Sequence, residues 1–282
     1  MEPFFLKNEQ YYIVKDWHTD SLIAGFTSKN GGASTGVFSS LNLGFHVHDH
    51  IEAVCKNRET VAHLLDFSIE NWVGAEQIHD SEIAIIRQEH RGKGASVYED
   101  SLKGTDGLFT KEAGVLLTLC FADCVPLFFS APKHHALGIA HAGWKGTVKG
   151  IGKEMIQVFN HENIPAQDVF VVIGPAICKN CYIVDNRVIE LVQNILEDVE
   201  ENPYNLIEDN QYQLNLKELN RLILQQSGVP AENIQVSNLC TKCNQKHFFS
   251  HRRDEGKTGR MMGFIGWKED YKSIDESGRQ FS

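Results

Sequence analysis

No apolar run in this 282-residue chain approaches the roughly 20 residues that a membrane-spanning helix needs. The opening segment MEPFFLKNEQ also lacks a basic stretch followed by an apolar core, so the expectation is a cytoplasmic protein with no membrane partner. Positive charge is in deficit as well, with 27 Lys and Arg against 37 Asp and Glu and a formal net charge of −10. That balance argues against a nucleic-acid partner, because phosphate backbones require basic patches. An anionic small molecule could still bind where a few cations converge. No long polar or low-complexity linker interrupts the chain, and no fixed-period repeat is visible. Residues 1–267 therefore read as one domain, and the polar segment 268–282 reads as a disordered tail. The cysteines number seven, an odd count in a setting that keeps thiols reduced, so metal ligation, catalysis or packing is expected of them.

What is present is ordinary for a globular chain, with 42% hydrophobic and 23% charged residues. Ile51–Leu65 has the spacing of an amphipathic helix, and Asp49 followed by Glu52 looks like a capping box at its start. Glu82–Arg87, Leu116–Phe121, Leu137–Ala140, Val169–Ile173 and Met261–Trp267 read as strands. Helical spacing returns over Thr147–Phe159, Asn186–Val199 and Leu216–Gln226, while the Gly-rich stretch Arg91–Gly107 reads as a surface loop. This order of elements indicates an α/β or α+β fold.

The chemistry concentrates in ADCVPLFFSAPKHHALGIAHAGWKG (Ala122–Gly146). Cys124 and His141 are expected where two strands end, and the loops beyond strand ends are where rigid scaffolds present reactive groups. A thiolate and an imidazole brought together there suit a nucleophilic Cys–His site or a soft transition-metal site. His79, in QIHDSEIAII (Gln77–Ile86), would supply a third ligand and leave a fourth position for water or substrate. From spacing alone, buried packing roles for Cys124 and the histidines compete with this reading.

Taken with GGASTGVFSSLNLG (Gly31–Gly44), the VxxNR element Val54–Arg58, IGPAICKNCYIV (Ile173–Val184), CTKC (Cys240–Cys243) and FFSHRRDEGKTGRM (Phe248–Met261), these blocks follow one order along the chain. In that order the chain resembles the YfiH/YlmD family, also called the laccase-domain or multicopper polyphenol oxidase family. The resemblance implies a four-layer α/β/β/α sandwich, and it maps the family's His/Cys/His metal ligands onto His79, Cys124 and His141. It also implies a zinc-dependent purine nucleoside phosphorylase acting on adenosine, inosine or S-methyl-5′-thioadenosine with phosphate. A side activity deaminating adenosine is implied too, and a homodimer stays open.

Around the metal, Asn42, Arg58, Gln77 and Arg252 are the candidate substrate and phosphate ligands, and Asp123, Cys124 and His141 the candidate catalytic residues. Gln77 and His79 would share a face of an extended chain. Arg58 and Arg252 suit anion binding, since guanidinium stays charged and makes forked bonds. Arg58 would point inward from its helix among apolar neighbours, where a bound phosphate could be its partner. Asp123 is open between a base, a ligand orienter and a turn residue; zinc deaminases pair the metal with a Glu, which the sequence does not supply here. His251, Arg253 and Lys145 are further candidates, the last two favoured as surface residues.

Copper is the alternative metal, since imidazole and thiolate bind it as well. A phenol oxidase would need several histidine sets; His46, His48 and His50 and the pair His134-His135 have no matching second set, and the first group reads as a solvated loop. The pairs Cys178-x-x-Cys181 and Cys240-x-x-Cys243 could together hold zinc, but about sixty residues separate them, which is long for a zinc ribbon. Reduced packing cysteines or a redox-labile pair are favoured on that ground. A hydrolase editing peptidoglycan precursors and a non-enzymatic metal-binding partner are the remaining alternatives.

Overall fold

Successive side chains of Val115–Phe121 enter two different cores: Val115, Leu117, Leu119 and Phe121 face one, Leu116 the other. That is the two-residue period of a strand buried on both sides. In the computed structural model, residues 1–17, 19, 21–196 and 202–269 are described. The strands run β1 (Phe4–Leu6), β2 (Tyr11–Val14), β3 (Leu22–Thr27), β4 (Trp72–Gly74), β5 (Ile83–Ile86), β6 (Gly107–Thr110), β7 (Val115–Phe121) and β8 (Val125–Ala131). They continue as β9 (Ala136–Ala142), β10 (Phe170–Ile173), β11 (Ile183–Val184), β12 (Tyr204–Glu208), β13 (Gln211–Leu214), β14 (Ile234–Val236) and β15 (Met261–Trp267). The α-helices are α1 (Ile51–Leu65), α2 (Trp144–Val148), α3 (Ile151–His161), α4 (Asn186–Ile195) and α5 (Leu216–Gln226).

One six-stranded sheet has the order β1-β2-β3-β15-β7-β4, the other β14-β10-β8-β9-β6-β5, and β11-β13-β12 form a small third sheet. Three cores define the layers. Val61, Ala62 and Leu65 of α1 cover Leu116, Met262 and Phe264 on the outer face of the first sheet. Phe26, Leu119 and Phe121 meet Leu108, Phe128 and Ile139 between the sheets. Met155 and Phe159 of α3, with Leu219 and Leu224 of α5, cover Leu127, Phe129 and Val171 on the far side. The result is the expected mixed α/β single domain, layered helix, sheet, sheet, helix.

Several local expectations change. Asp49 does not cap α1: His50 occupies that position without a side-chain bond, and Asp49 Oδ2 instead accepts from Ser34 and Asn42. The helix expected over Thr147–Phe159 is two helices, broken at Gly150, whose φ of 85° is left-handed. Helix α4 ends at Ile195, and residues 197–199 of its expected range lie outside the described residues. Of the polar tail, Lys268 and Glu269 are described, with Lys268 bonded to Asp66, and the rest lies outside the described residues. The Arg91–Gly107 segment is not simply superficial, because Ala95, Ser101, Thr105 and Asp106 are buried. Strand β8 is hidden in the sequence behind Pro126, tolerated as the second residue of the strand, where a missing N–H costs little.

Phe128 is fully buried between the sheets with its ring 5.9 Å from that of Phe4. Phe128→Ala should lower unfolding free energy by about 3–5 kcal/mol. A urea titration checks this: the midpoint should fall with little change in slope.

Candidate metal centre

The link between β7 and β8 crosses from the first sheet to the second, and it carries Asp123 and Cys124. Asp123 takes the left-handed conformation (φ 83°) that turns the chain across. Cys124 therefore lies in the crossing and does not close a strand. His141 is the penultimate residue of β9, paired with Pro126 of β8, so the thiol just before β8 is brought beside the imidazole of the neighbouring strand. His79 comes from the loop after β4. The ligand atoms of His79, Cys124 and His141 all lie within 4.8 Å of one another, and the two imidazole rings are 4.7 Å apart, edge to face.

Asp106, which no sequence motif singles out, holds this arrangement. Its carboxylate is fully buried and accepts the backbone N–H groups of Ile78 (3.0 Å), His79 (3.0 Å) and Asp80 (2.9 Å). The same carboxylate accepts His141 Nδ1–H at 2.8 Å, which directs Nε2 toward Cys124, the side on which a metal would be held. The His79 loop is thus curled around one carboxylate, with His79 itself at φ 63°. The chain is therefore not extended at His79, as alternation would require, yet Gln77 and His79 still line the same cavity. Burial opposes the Asp106 charge, yet the hydrogen bond and charge of His141 keep its carboxyl below the usual range.

Burial likewise opposes a thiolate at Cys124, but the charge and hydrogen bond of His141, aided by His79, bring it down to about 6. Burial disfavours the imidazolium of His141, and Cys124 and Asp106 raise it to about 9. A thiolate–imidazolium pair is the form in which a divalent cation can replace the proton. Gly143 is required beside it: a Cβ there would lie 2.9 Å from His79 Cδ2 and 3.0 Å from Cys124 Sγ. Two imidazoles and a thiolate suit zinc, and the donor set fits copper as well.

The three groups open into a cavity of about 450 Å³. Trp144, Ile177, Tyr182 and Leu216 supply apolar and aromatic walls, and Arg252, Arg260, His46 and His251 the polar ones. Arg252 lies over the Tyr182 ring at 5.1 Å. Arg260 bonds the Thr258 and Gly259 carbonyls through Nη1, and no acceptor among the described residues engages its Nε or Nη2. Arg260 did not stand out in the sequence, although it is the penultimate residue of the last family-like block and could have been found there. His46, expected in a solvated loop, is solvent-accessible but lines the cavity. Burial by surrounding protein and the nearby Arg260 and Arg58 push its imidazole down to about 4.

Other candidates are engaged by the protein itself. Gln77 reaches the cavity wall, but its amide exchanges 2.8 Å bonds with the Cys120 carbonyl and N–H, as a strand neighbour would. Asp123 lines the cavity too; it accepts from Thr241, Ser250 (2.9 Å) and the Arg252 N–H (2.7 Å). Asn42 is fully buried and supports Arg260, whose N–H it accepts at 2.8 Å. Arg58 does not reach this cavity. Its partners are the Leu43, Gly94 and Ala95 carbonyls at 2.7–2.9 Å and the Phe45 ring, so the anion expected as its partner is replaced by protein. Arg253 is tied to Asp254 and the Thr241, Lys242 and Phe248 carbonyls, and exposed Lys145 lies 5.8 Å from the Trp144 ring centre.

The family described as multi-copper polyphenol oxidoreductase laccase matches residues 23–268. The purine nucleoside phosphorylase YlmD of Bacillus subtilis (strain 168) is 50% identical over 273 residues, covering 95% of this chain and 98% of its own length. The protein of the same name from Geobacillus stearothermophilus is 47% identical over 250 residues, covering 88% and 91%. A crystal structure of YlmD from Geobacillus stearothermophilus superposes with a TM-score of 0.94 at 44% identity, covering 95% of this chain and 100% of that one. The hypothetical protein YfiH of Bacillus licheniformis gives 0.93 at 45% identity, with the same coverage.

Asp106→Asn should weaken zinc binding by about 10–100-fold, since it removes the charge that orients His141 and the His79 loop. Competition against a chromogenic chelator measures the change. Arg58→Ala should instead cost about 3 kcal/mol or more in stability, because three carbonyls lose their buried donors. Chemical denaturation reads that loss directly.

Proposed function

Since the chain belongs to the multi-copper polyphenol oxidoreductase laccase family, we propose that its metal centre and cavity carry out zinc-dependent phosphorolysis of purine nucleosides. The relatives from Bacillus subtilis and Geobacillus stearothermophilus bear the name of that activity. The observation that carries the reading is the composition of the cavity: aromatic walls fit to cover a purine, two arginines fit to hold phosphate, and a two-histidine, one-cysteine donor set in the same lining. Its volume suits a ligand of nucleoside size.

His79, Cys124 and His141 would hold the zinc, which when bound supplies Lewis-acid polarisation. In phosphorolysis a phosphate oxygen attacks C1′ of the ribose, the C1′–N9 bond breaks, and its electrons leave with the purine, which takes up a proton. Arg252 and Arg260 hold the phosphate and keep its charge directed at the sugar as positive charge develops there. Tyr182 and Trp144 cover the base and keep water from competing. Asp123, with its oxygens occupied by Thr241, Ser250 and Arg252, acts here as a positioning residue that fixes the Arg252 backbone. Adenosine, inosine and S-methyl-5′-thioadenosine are the proposed substrates, and the cytoplasm the proposed compartment.

Deamination of adenosine at the same centre is the proposed side reaction. With the Asp123 carboxylate occupied, His46 and His251 are the imidazoles left in the cavity wall to relay its protons. A phenol oxidase has less support, because His134 and His135 lie at the β8–β9 hairpin turn, with His134 bonded to Asp168. Copper remains the alternative occupant, and a peptidoglycan-editing hydrolase the alternative enzyme.

With adenosine and saturating phosphate, adenine and ribose 1-phosphate should form, and without phosphate inosine should become the main product. His141→Ala should abolish both reactions, and Arg260→Gln should raise the phosphate KM by about tenfold or more, the loss of one charge-assisted contact. Chromatography of the products decides: adenine release indifferent to phosphate would remove the phosphorylase reading.

A further inference from the structure

The two CxxC pairs, set aside in the sequence because of their separation, converge in the fold. Strands β10 and β14 pair in parallel, Ile173 opposite Val236, so the segments that follow leave the same end of the sheet side by side. The parallel register continues into a bridge between Ala176 and Cys240. Cys178-Lys-Asn-Cys181 and Cys240-Thr-Lys-Cys243 are therefore brought face to face by topology, although Cys178 and Cys240 are 62 residues apart. All four sulfurs lie within 4.8 Å of one another, and those of Cys181 and Cys243 are 3.4 Å apart.

From this geometry we propose that Cys178, Cys181, Cys240 and Cys243 bind a second, structural zinc ion, separate from the His79, Cys124 and His141 centre. Four thiolates about 2.3 Å from a tetrahedral ion lie about 3.8 Å from each other, a separation that sulfurs within 4.8 Å of one another can reach with small side-chain adjustments. The backbone prepares the Cys240 sulfur for negative charge. The N–H groups of Cys178 (3.3 Å) and Cys243 (3.4 Å) both point at Cys240 Sγ, and the Cys178 carbonyl accepts the Cys181 N–H (3.0 Å), closing that CxxC turn. A zinc tetrathiolate carries two negative charges, and a buried cation lies beside it. Lys217 Nζ donates to the Ser237 and Leu239 carbonyls, on the segment leading into Cys240, and these bonds supply no countercharge.

Such an ion would tie down one wall of the cavity. Tyr182 directly follows Cys181, and Thr241, between two of the ligands, donates to Asp123, which in turn accepts the Arg252 N–H. Arg253 bonds the Thr241 and Lys242 carbonyls of the same CxxC turn. The cluster is thus joined by short links to both members of the Arg252–Tyr182 pair.

Protein loaded with zinc and dialysed should hold two equivalents per chain, and Cys181→Ser/Cys243→Ser should hold one. Cys124→Ala should also fall from two to one, and all three substitutions together to none. One equivalent in the wild type that persists in Cys181→Ser/Cys243→Ser overturns the proposal, as does an intact mass lighter by four hydrogens, the signature of two disulfides. Cobalt loading of Cys124→Ala guards against a double variant that fails to fold. The intense thiolate-to-cobalt absorption of a four-sulfur site should persist there, and its absence likewise refutes the site.

Discussion

The Asp106 carboxylate binds three consecutive N–H groups of the His79 loop and the Nδ1–H of His141, and the candidate centre depends on that one buried group. It joins the two sheets where the site lies. The His79 loop continues from β4 in the first sheet, whereas Asp106 itself leads into β6 and His141 belongs to β9, both in the second. Cys124 arrives on the crossing between the same two sheets. A carboxylate with no exposed surface is unfavourable unless its lone pairs are filled, so the loop conformation and the imidazole orientation are determined together. Ligands from three separate segments are thereby held without any of them adjoining another in sequence.

The cavity shows why net charge says little about a local field. A chain with a formal charge of −10 gathers Arg252, Arg260 and several imidazoles around one opening, where the lining carboxylate, Asp123, is occupied by hydrogen bonds. Desolvation and the neighbouring Arg260 and Arg58 push the His46 imidazole down to about 4, so it adds little positive charge beside the arginines at ordinary pH. Arg58 contributes from behind the wall. Its guanidinium is spent on carbonyls of the Leu43 and Gly94–Ala95 segments, and it links α1 to the loop that ends at Asp106.

Legibility in the sequence followed the range of the interaction. Helix α5 and strand β15 have the bounds that periodicity predicts, because their apolar spacing is recorded locally. Strands β1 to β3, β8 and the small third sheet went unread: several are only two to four residues long, β8 carries Pro126, and all are defined by their neighbours in the sheet. His79, Cys124 and His141 could be named together through the order of family-like blocks, while spacing left packing roles open. Asp106 had no such signal, since its partners are backbone N–H groups that every residue but proline carries. The Arg58 expectation failed for a related reason, as three main-chain carbonyls supplied the partner that an inward-facing charge requires.

By itself the sequence determined the mixed α/β class, the family, the principal helices and buried strands, and the residue types available for metal and anion chemistry. These follow from local periodicity and from the order of motifs along the chain. Tertiary structure alone decided which cations face the cavity, that Asp106 organises the His79 loop, and that Cys178, Cys181, Cys240 and Cys243 share one centre. The physical reason is strand pairing. Parallel alignment of β10 with β14 and the crossing from β7 to β8 set side by side groups that lie far apart along the chain, and composition records no such distance.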